Sequence, residues 1–441
     1  MSVERRGSIK SSVSRTQLGS SQEEVKPQTK PFIINRWQVY EAFRRVKANA
    51  GSAGVDKQSI AEFEENLKDN LYKLWNRMSS GSYMPPPVKA VAIPKKSGGE
   101  RLLGIPAVSD RIAQMVVKLE FEPEVEPHFL PDSYGYRPNK SALDAIAVTR
   151  KRCWKYDWVL EFDIKGLFDN IPHDLLLKAV DKHTDNPWVR LFVRRWLTAP
   201  MQFTDGSVVQ RVMGTPQGGV ISPVLANLFL HYAFDMWLQK HHLSKLWCRY
   251  ADDGLVHCKS EAQAHQMLTV LRQRFEECGL ELHPEKTKIV YCKDERRTGD
   301  YHNTAFDFLG YTFRRRSCKD SRANQMFLGF APAVSPSALK EMRRKIRKTR
   351  IRSRTDLSLN EIAEWINPVL RGWLSYYGAF YRSEMYRLIR HVNKTLVRWA
   401  MRKCKSLRFS KHRAVALLER VAQQRPGLFA HWQRGMKGAF A

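Results

Sequence analysis

The chain has no Cys-x-x-Cys pair. Its seven cysteines, at 153, 248, 258, 278, 292, 318 and 404, are scattered over 441 residues. That excludes a zinc ribbon or finger signature and a disulfide framework, and it fits a reducing compartment. No run of about 18 apolar residues escapes polar interruption, so no transmembrane helix is expected. The most apolar stretch, 220–238, contains Asn227, His231 and Asp235. No secretory signal is visible, so none is expected, and Glu4 with the lack of an Arg-rich amphipathic face argues against a transit peptide. Acidic residues are scarce: 44 Asp and Glu against 74 Lys and Arg leave a net charge of +30. Such a field attracts polyanions, nucleic acid first and anionic membrane second.

What is present is enough for real cores, with 43% hydrophobic residues, and the length suggests roughly two to four domains at about 150 residues each. The charge is uneven. From Arg314 to Ala441 there are 30 Lys and Arg against 7 Asp and Glu, a balance of +23, which leaves +7 for everything before it. The basic partner surface is therefore mainly C-terminal.

Residues 1–35 are rich in Ser, Gln, Lys and Glu and aperiodic, and read as a disordered arm. A helix is predicted over 36–48, a break at Gly51–Asp56, and a second helix to Met78. Strands over 88–93 and 102–105 flank a Gly-tipped basic segment, Pro94–Arg101. It reads either as a solvated hairpin tip or as a flap gripping a triphosphate or template backbone, with Arg101 able to fork onto phosphate. An amphipathic helix follows over 110–121. Next come an aromatic loop at Ser133–Pro138 and another helix after Ser141.

Trp158–Asp163 reads as a buried strand ending in a carboxylate, turning through 164–170 into a helix with Pro172 in its first turn. An acid there is where α/β ligands sit; Asp169 or Asn170 suits helix capping better, leaving Asp163 without a structural role. Gly214–Pro223 is a glycine-rich loop running into a helix, with Ser222 as N-cap and Pro223 at the first helical position. Tyr250-Ala251-Asp252-Asp253 lies between two short apolar runs, and Asp-Asp-Gly suits a hairpin turn that brings both carboxylates to one place. Adjacent bare carboxylates repel and raise each other's pKa, a penalty that a divalent cation removes. Beyond it, Ser260 with Gln263 marks a capping box and Gly279 a helix end. Strands are predicted over 280–283 and 287–291, and a strand pair or bend over 306–313. After Arg314 the pattern reads as helical: a basic helix from Ser335 to Arg352, one capped by Ser358 that Pro368 kinks or ends, a third opening at Arg371, and a Trp-bearing one over 385–405. The tail at 427–434 mixes basic and aromatic residues, which suits stacking on unpaired bases.

A palm-like sheet bringing Asp163 beside Asp252 and Asp253 would hold three carboxylates at one point, as two-metal phosphoryl transfer needs. Taken in order, Phe162–Asp169, Pro216-Gln217-Gly218 with Ser222-Pro223, Tyr250–Asp253, Lys286 after Gly279, and Phe308–Tyr311 strongly resemble the reverse transcriptases encoded by group II introns. The resemblance covers about residues 37 to 435, with 371–380 and 427–432 similar to that family's maturase (X) domain. It implies an α+β right-hand polymerase, with fingers and a ferredoxin-like antiparallel palm over 36–313. A connector at 314–334 and a helical thumb and maturase region with a basic tail at 335–441 would follow.

The resemblance further implies that Asp163, Asp252, Asp253 and the Ile164 carbonyl bind two Mg²⁺ ions. Phe168 would be the steric gate against a ribose 2′-hydroxyl, Gln217 with Pro216 would line the nucleotide pocket, Arg101 would contact the triphosphate, and Lys286 would protonate pyrophosphate. Arg343, Arg344, Lys345, Arg347, Lys348, Arg350, Arg371 and Trp373 are the expected RNA contacts. The implied partners are intron RNA, a DNA target or primer and dNTPs, with no membrane; oligomeric state is left open, a dimer included. The setting is a bacterial cytoplasmic ribonucleoprotein in preference to an organelle. Many family members carry a C-terminal His-Asn-His endonuclease with paired cysteines. None is seen up to Ala441, so second-strand cleavage is not expected and priming would use nascent strands at replication forks. The leading expectation is an RNA-directed DNA polymerase that also assists splicing and mobility. Its rivals are a splicing-only maturase and a reverse transcriptase recruited to defence or CRISPR adaptation. An RNA-copying RNA polymerase is disfavoured by Phe168.

Overall fold

The computed structural model describes residues 30–94, 98–319, 324–438 and 440. Most of the expected N-terminal arm, and Lys95-Lys96-Ser97 at the basic hairpin tip, therefore lie outside the described residues. Residues 30–35 are placed. Phe32 N–H donates to the Ser79 carbonyl at 3.1 Å, Ile34 is buried, and Asn35 caps the helix Arg36–Asn49 by accepting from Trp37 N–H at 2.9 Å. The stretch expected as one helix up to Met78 is two, Ile60–Glu65 and Leu67–Ser79, because Asn66 leaves helical geometry between them.

The hairpin Val88–Pro94 with Glu100–Ile105 extends through the short strands Met201–Gln202 and Val208–Val209 into one sheet. Behind it the helix Val108–Val125 is buried on nearly every side near its start, not amphipathic as expected. The palm sheet is antiparallel throughout. Its order is Leu246–Tyr250, Asp253–Cys258, Trp158–Asp163, Lys288–Tyr291. The two central strands are buried along almost their whole length, and apart from Glu161 and His257 their interior positions are apolar or glycine. Residues 280–283, expected as a strand, contribute only a bridge between Leu282 and Ile164.

Residues 314–319 and 326–334, within the stretch expected as a connector in a helical pattern, are instead paired β-strands. Tyr311–Lys319 pairs with Met326–Val334 on one side and Ala305–Phe308 on the other. Arginines 314–316 hid the alternation. Arg314 and Arg315 are exposed, but Arg316 is buried, donating to the Ala331 and Thr312 carbonyls and pairing with Glu384 at 3.2 Å.

The helices Pro336–Lys348, Leu359–Tyr377, Tyr386–Lys403 and Lys411–Gln424 surround a separate apolar core. Pro368 neither ends nor divides its helix, and Arg371 opens no new one. The proline faces solvent while Ile366 and Leu370 beside it are buried, so water can serve the carbonyl left without a donor. The tail aromatics are also misread as stacking groups. Phe429, His431 and Trp432 are fully buried, and Asn393 Oδ1 accepts from both His431 Nε2 (2.7 Å) and Trp432 Nε1 (3.3 Å). The rings complete the helical core.

Candidate active site

Register does most of the placing. Asp163 is the last residue of its strand and pairs directly with Asp253, so the two side chains share one face of the sheet. Tyr250 pairs with Asp253 in turn, leaving Ala251 and Asp252 as a two-residue hairpin loop. The turn glycine is not where the sequence suggested. Gly254 lies within the strand, where a Cβ would overlap the Phe162 ring, and Ala251 takes the positive φ of 56° that such loops favour. The three carboxylates thus meet at one end of the palm.

Their electrostatics are those of crowded like charges. Burial, then Asp252 and Asp163, pushes the Asp253 carboxyl up to about 8, and burial also raises Asp252. Lys286 Nζ lies 2.9 Å from Asp163 Oδ2. Burial works against the Lys286 ammonium, but Asp163, Asp253 and Asp252 outweigh it and raise its pKa. Lys286 is thus held as the counter-charge of Asp163. Asp163 O accepts from His283 N–H and Lys165 N–H donates to Glu281 O, so the N–H and C=O of Ile164 between them point away from that bridge.

An all-oxygen set of three crowded carboxylates suits a hard divalent cation such as Mg²⁺, which relieves the repulsion that lifts Asp253. Among the described residues no group of three or more His, Cys, Asp or Glu side chains is arranged to hold a metal ion, so the three carboxylates do not make a finished site by themselves. An open site finished by water and phosphate is what Mg²⁺ prefers.

Next to the acids, Arg101, Leu103, Tyr136, Phe168, Gln217, Gly218, Gly219, Ser222 and Pro223 line a cavity of about 260 Å³. Three expected pocket residues therefore converge. Gln217 ties them together: Oε1 accepts from Arg101 Nε, Nε2 donates to Asp169 Oδ2 at 2.8 Å, and its carbonyl accepts from Gly104 N–H. Pro216 is not part of the wall; it is buried behind it, against Gly104. Phe168 is buried, and its carbonyl accepts from Thr215 N–H. Neither Asp169 nor Asn170 caps a helix. Asn170 donates to the Lys165 carbonyl, and Pro172 occupies the N-cap of His173–His183 instead of its first turn. Ser222 is likewise not an N-cap; Ile221 holds that position and the Ser222 hydroxyl bonds Thr215 at 2.7 Å.

Of the expected RNA contacts, Lys345, Arg347, Lys348, Arg350 and Arg371 are exposed. Arg344 pairs with Glu341, Arg343 donates to the Arg387 carbonyl, and Trp373 is half-buried against the helical core. Leu339, Met342 and Ile346 bury the opposite side of their helix, so the basic face looks outward.

Two features were missed. Tyr136, half-exposed at φ 57°, stands between Phe168 and Tyr250 with ring centroids 6.5 Å from each. Beneath the hairpin, fully buried Arg249 pairs with fully buried Asp235 at 2.6 Å, and bonds Asn227 Oδ1, Ser133 Oγ and the Ala251 carbonyl. Asn227 Nδ2 donates to the Gly135 carbonyl at 2.6 Å. The signal was present: Asn227 and Asp235 interrupt the most apolar run of the chain, and buried polar groups need partners.

Residues 93–313, about half of the chain, match the reverse transcriptase (RNA-dependent DNA polymerase) family, and residues 339–416 match the group II intron maturase-specific domain. The chain belongs to the reverse transcriptase family. A polymerase followed by a maturase-specific domain is the arrangement of the group II intron enzymes. The protein YkfC of Escherichia coli K12 is 31% identical over 316 residues, covering 63% of this chain and 79% of that one. The group II intron-encoded protein LtrA of Lactococcus lactis is 31% identical over 195 residues, 44% of this chain and 32% of LtrA. A 91 kDa protein in the cob intron of Schizosaccharomyces pombe is 33% identical over 208 residues, 46% of this chain and 25% of that protein. The aligned stretches thus span a third or less of the latter two relatives. Among the described residues no helix is long and apolar enough to cross a membrane.

Proposed function

We propose that this chain copies intron RNA into DNA at Asp163, Asp252 and Asp253, and that its helical region binds the intron RNA to assist splicing and mobility. The observation that carries the reading is the pairing of Asp163 with Asp253, with Asp252 in the adjoining loop and a cavity bearing Arg101, Phe168 and Gln217 beside them. Bound Mg²⁺ would supply charge stabilisation to the attacking 3′-hydroxyl and the leaving pyrophosphate, held by the three carboxylates with the Ile164 carbonyl. The chain's own groups do the rest. Lys286 balances Asp163 and is the candidate proton donor to pyrophosphate. Arg101, fixed by Gln217, meets the triphosphate. Phe168 leaves no room for a 2′-hydroxyl, and Gln217 borders the incoming nucleotide. The partners are intron RNA, a DNA primer or target, and dNTPs.

Primer extension on an RNA template, comparing wild type with Asp252→Ala, tests this. DNA synthesis lost in the variant with RNA binding kept is the expected result. Absence of synthesis by wild type, with tight RNA binding, would reduce the protein to a splicing factor.

A further inference from the structure

The helix Tyr386–Lys403 begins beside Glu384, whose partner Arg316 belongs to the strand Tyr311–Lys319. At its other end, about 20 Å along at 1.5 Å per residue, lies a basic notch. Arg352, Arg398, Met401, Arg402, Lys405 and Arg408 line a cavity of about 670 Å³. Five of the six lining residues are cations and none is an acid. A helix C-terminus favours a cation or two, but that effect does not account for residues drawn from three separate segments. Arg402 donates to Ser353 Oγ at 2.9 Å, which fixes one wall.

Beside the notch Phe409 is 91% exposed, and the Arg408 guanidinium lies 5.4 Å from its ring centroid. A ring this bare gains nothing in the isolated chain. It offers a stacking face next to a row of phosphate-binding groups, the combination that holds single-stranded nucleic acid. In a duplex the base faces are already stacked, so an unpaired stretch alone uses both features.

We infer that this notch binds an unpaired segment of RNA, its phosphates on Arg398, Arg402 and Arg408 and one base on Phe409. The inference rests on the proposed RNA-binding reading and adds a site and a strand form to it. The test measures affinity and salt dependence for a short unstructured RNA and an RNA duplex of equal length. Phe409→Ala should weaken the unstructured RNA about tenfold and the duplex less than twofold. Changing Arg398, Arg402 and Arg408 to Gln should flatten the single-strand salt slope by about 2. Equal loss on both RNAs, no loss, or an unchanged slope overturns the site while leaving the general reading standing. Failure of wild type to bind either RNA sinks both. Phe409 contacts no core, so its removal does not endanger folding.

A second inference comes from the buried network, given the catalytic reading. Arg249 bonds the Ala251 carbonyl in the loop that carries Asp252, and Asn227 joins it to Gly135, whose missing Cβ lets the Tyr136 loop press against Ala251 N. We propose that Arg249 and Asn227 are positioning residues that hold the acidic loop and the Tyr136 wall in one arrangement. Asn227→Ala leaves the Arg249–Asp235 pair intact. It should lower kcat about 10–100-fold and raise the Mg²⁺ needed for half-maximal rate, with the melting temperature nearly kept. Asn227→Asp, which still accepts from Arg249, should recover part of both. A rate loss that follows only the melting temperature, with unchanged Mg²⁺ requirement, overturns the assignment.

Discussion

The palm end and the helical domain carry opposite charge problems. In the palm, acids crowd until one carboxyl is lifted to about 8. In the helical domain, cations crowd a notch with no acid among its lining residues. The first is buried and set by strand register; the second is exposed and set by side chains on separate helices. Register transmits position from the sequence with little ambiguity, because a one-residue slip reverses every side chain. Composition on a helical surface says only that charge is present.

The largest effect should come from breaking the acidic end. Asp253→Asn keeps the shape and the strand pairing but removes one charge from the cluster. Loss of primer extension by about a thousandfold or more is expected, from several kcal/mol of lost charge stabilisation. Near-normal rates with Asn would move the chemistry away from this hairpin.

On the other side of the comparison, Trp432→Ala should cost about 3–5 kcal/mol, the usual consequence of emptying a fully buried aromatic site. Calorimetry would register it as an earlier transition of the helical domain. An unchanged melting temperature with weaker RNA binding would restore the surface-stacking role that the sequence suggested for this ring.

Phe168→Ala sharpens the palm side. Opening the wall of the cavity should let ribonucleotides compete, with discrimination falling about 10–100-fold in relative kcat/KM. Constant discrimination would shift the gate to Tyr136, the other ring on that wall.

These contrasts match what was legible. Asp163, Asp252 and Asp253 were readable as neighbours because strands and turns have short, local signatures; Arg101, Phe168 and Gln217, which line one cavity, were grouped only through the family resemblance, since nothing in their spacing links them. Pro216 was not placed correctly, since facing a cavity and backing its wall look alike in sequence. The pairing of 311–319 with 326–334 was hidden because Arg316 is a buried cation, paired with Glu384 across 68 residues. The tail was misread for a related reason: Phe429, His431 and Trp432 resemble a stacking motif until Asn393 supplies the partner of His431 and Trp432, and Asn367 accepts from the Ala430 N–H between them. Long-range pairing decides burial, and local pattern does not contain it.

Buried histidines give a smaller, pH-dependent test in both regions. His257 on the palm hairpin and His431 in the helical domain are each held down to about 3 by burial. Their folded pKa lies below the unfolded value, so the unfolded chain binds more protons between about 6.5 and 3. Stability should therefore be full above 6.5 and fall as pH drops through that window. His431→Gln can keep the donor to Asn393 and should weaken the pH dependence of the helical transition. A dependence as steep as wild type would assign it to other groups.

The smallest expected effect lies on the helix Pro336–Lys348, where Lys345, Arg347 and Lys348 face outward while Leu339, Met342 and Ile346 face the core. Replacing Arg347 and Lys348 by Gln removes charge without touching packing. If this face meets RNA phosphates, the slope of log affinity against log salt should flatten by about 1–2, with little change in melting temperature. An unchanged slope would leave the helix as a solvated basic face and confine the RNA contacts to other surfaces, the notch around Arg402 foremost. Unlike the acids of the palm, whose position follows from pairing, these cations acquire a role only from what binds them.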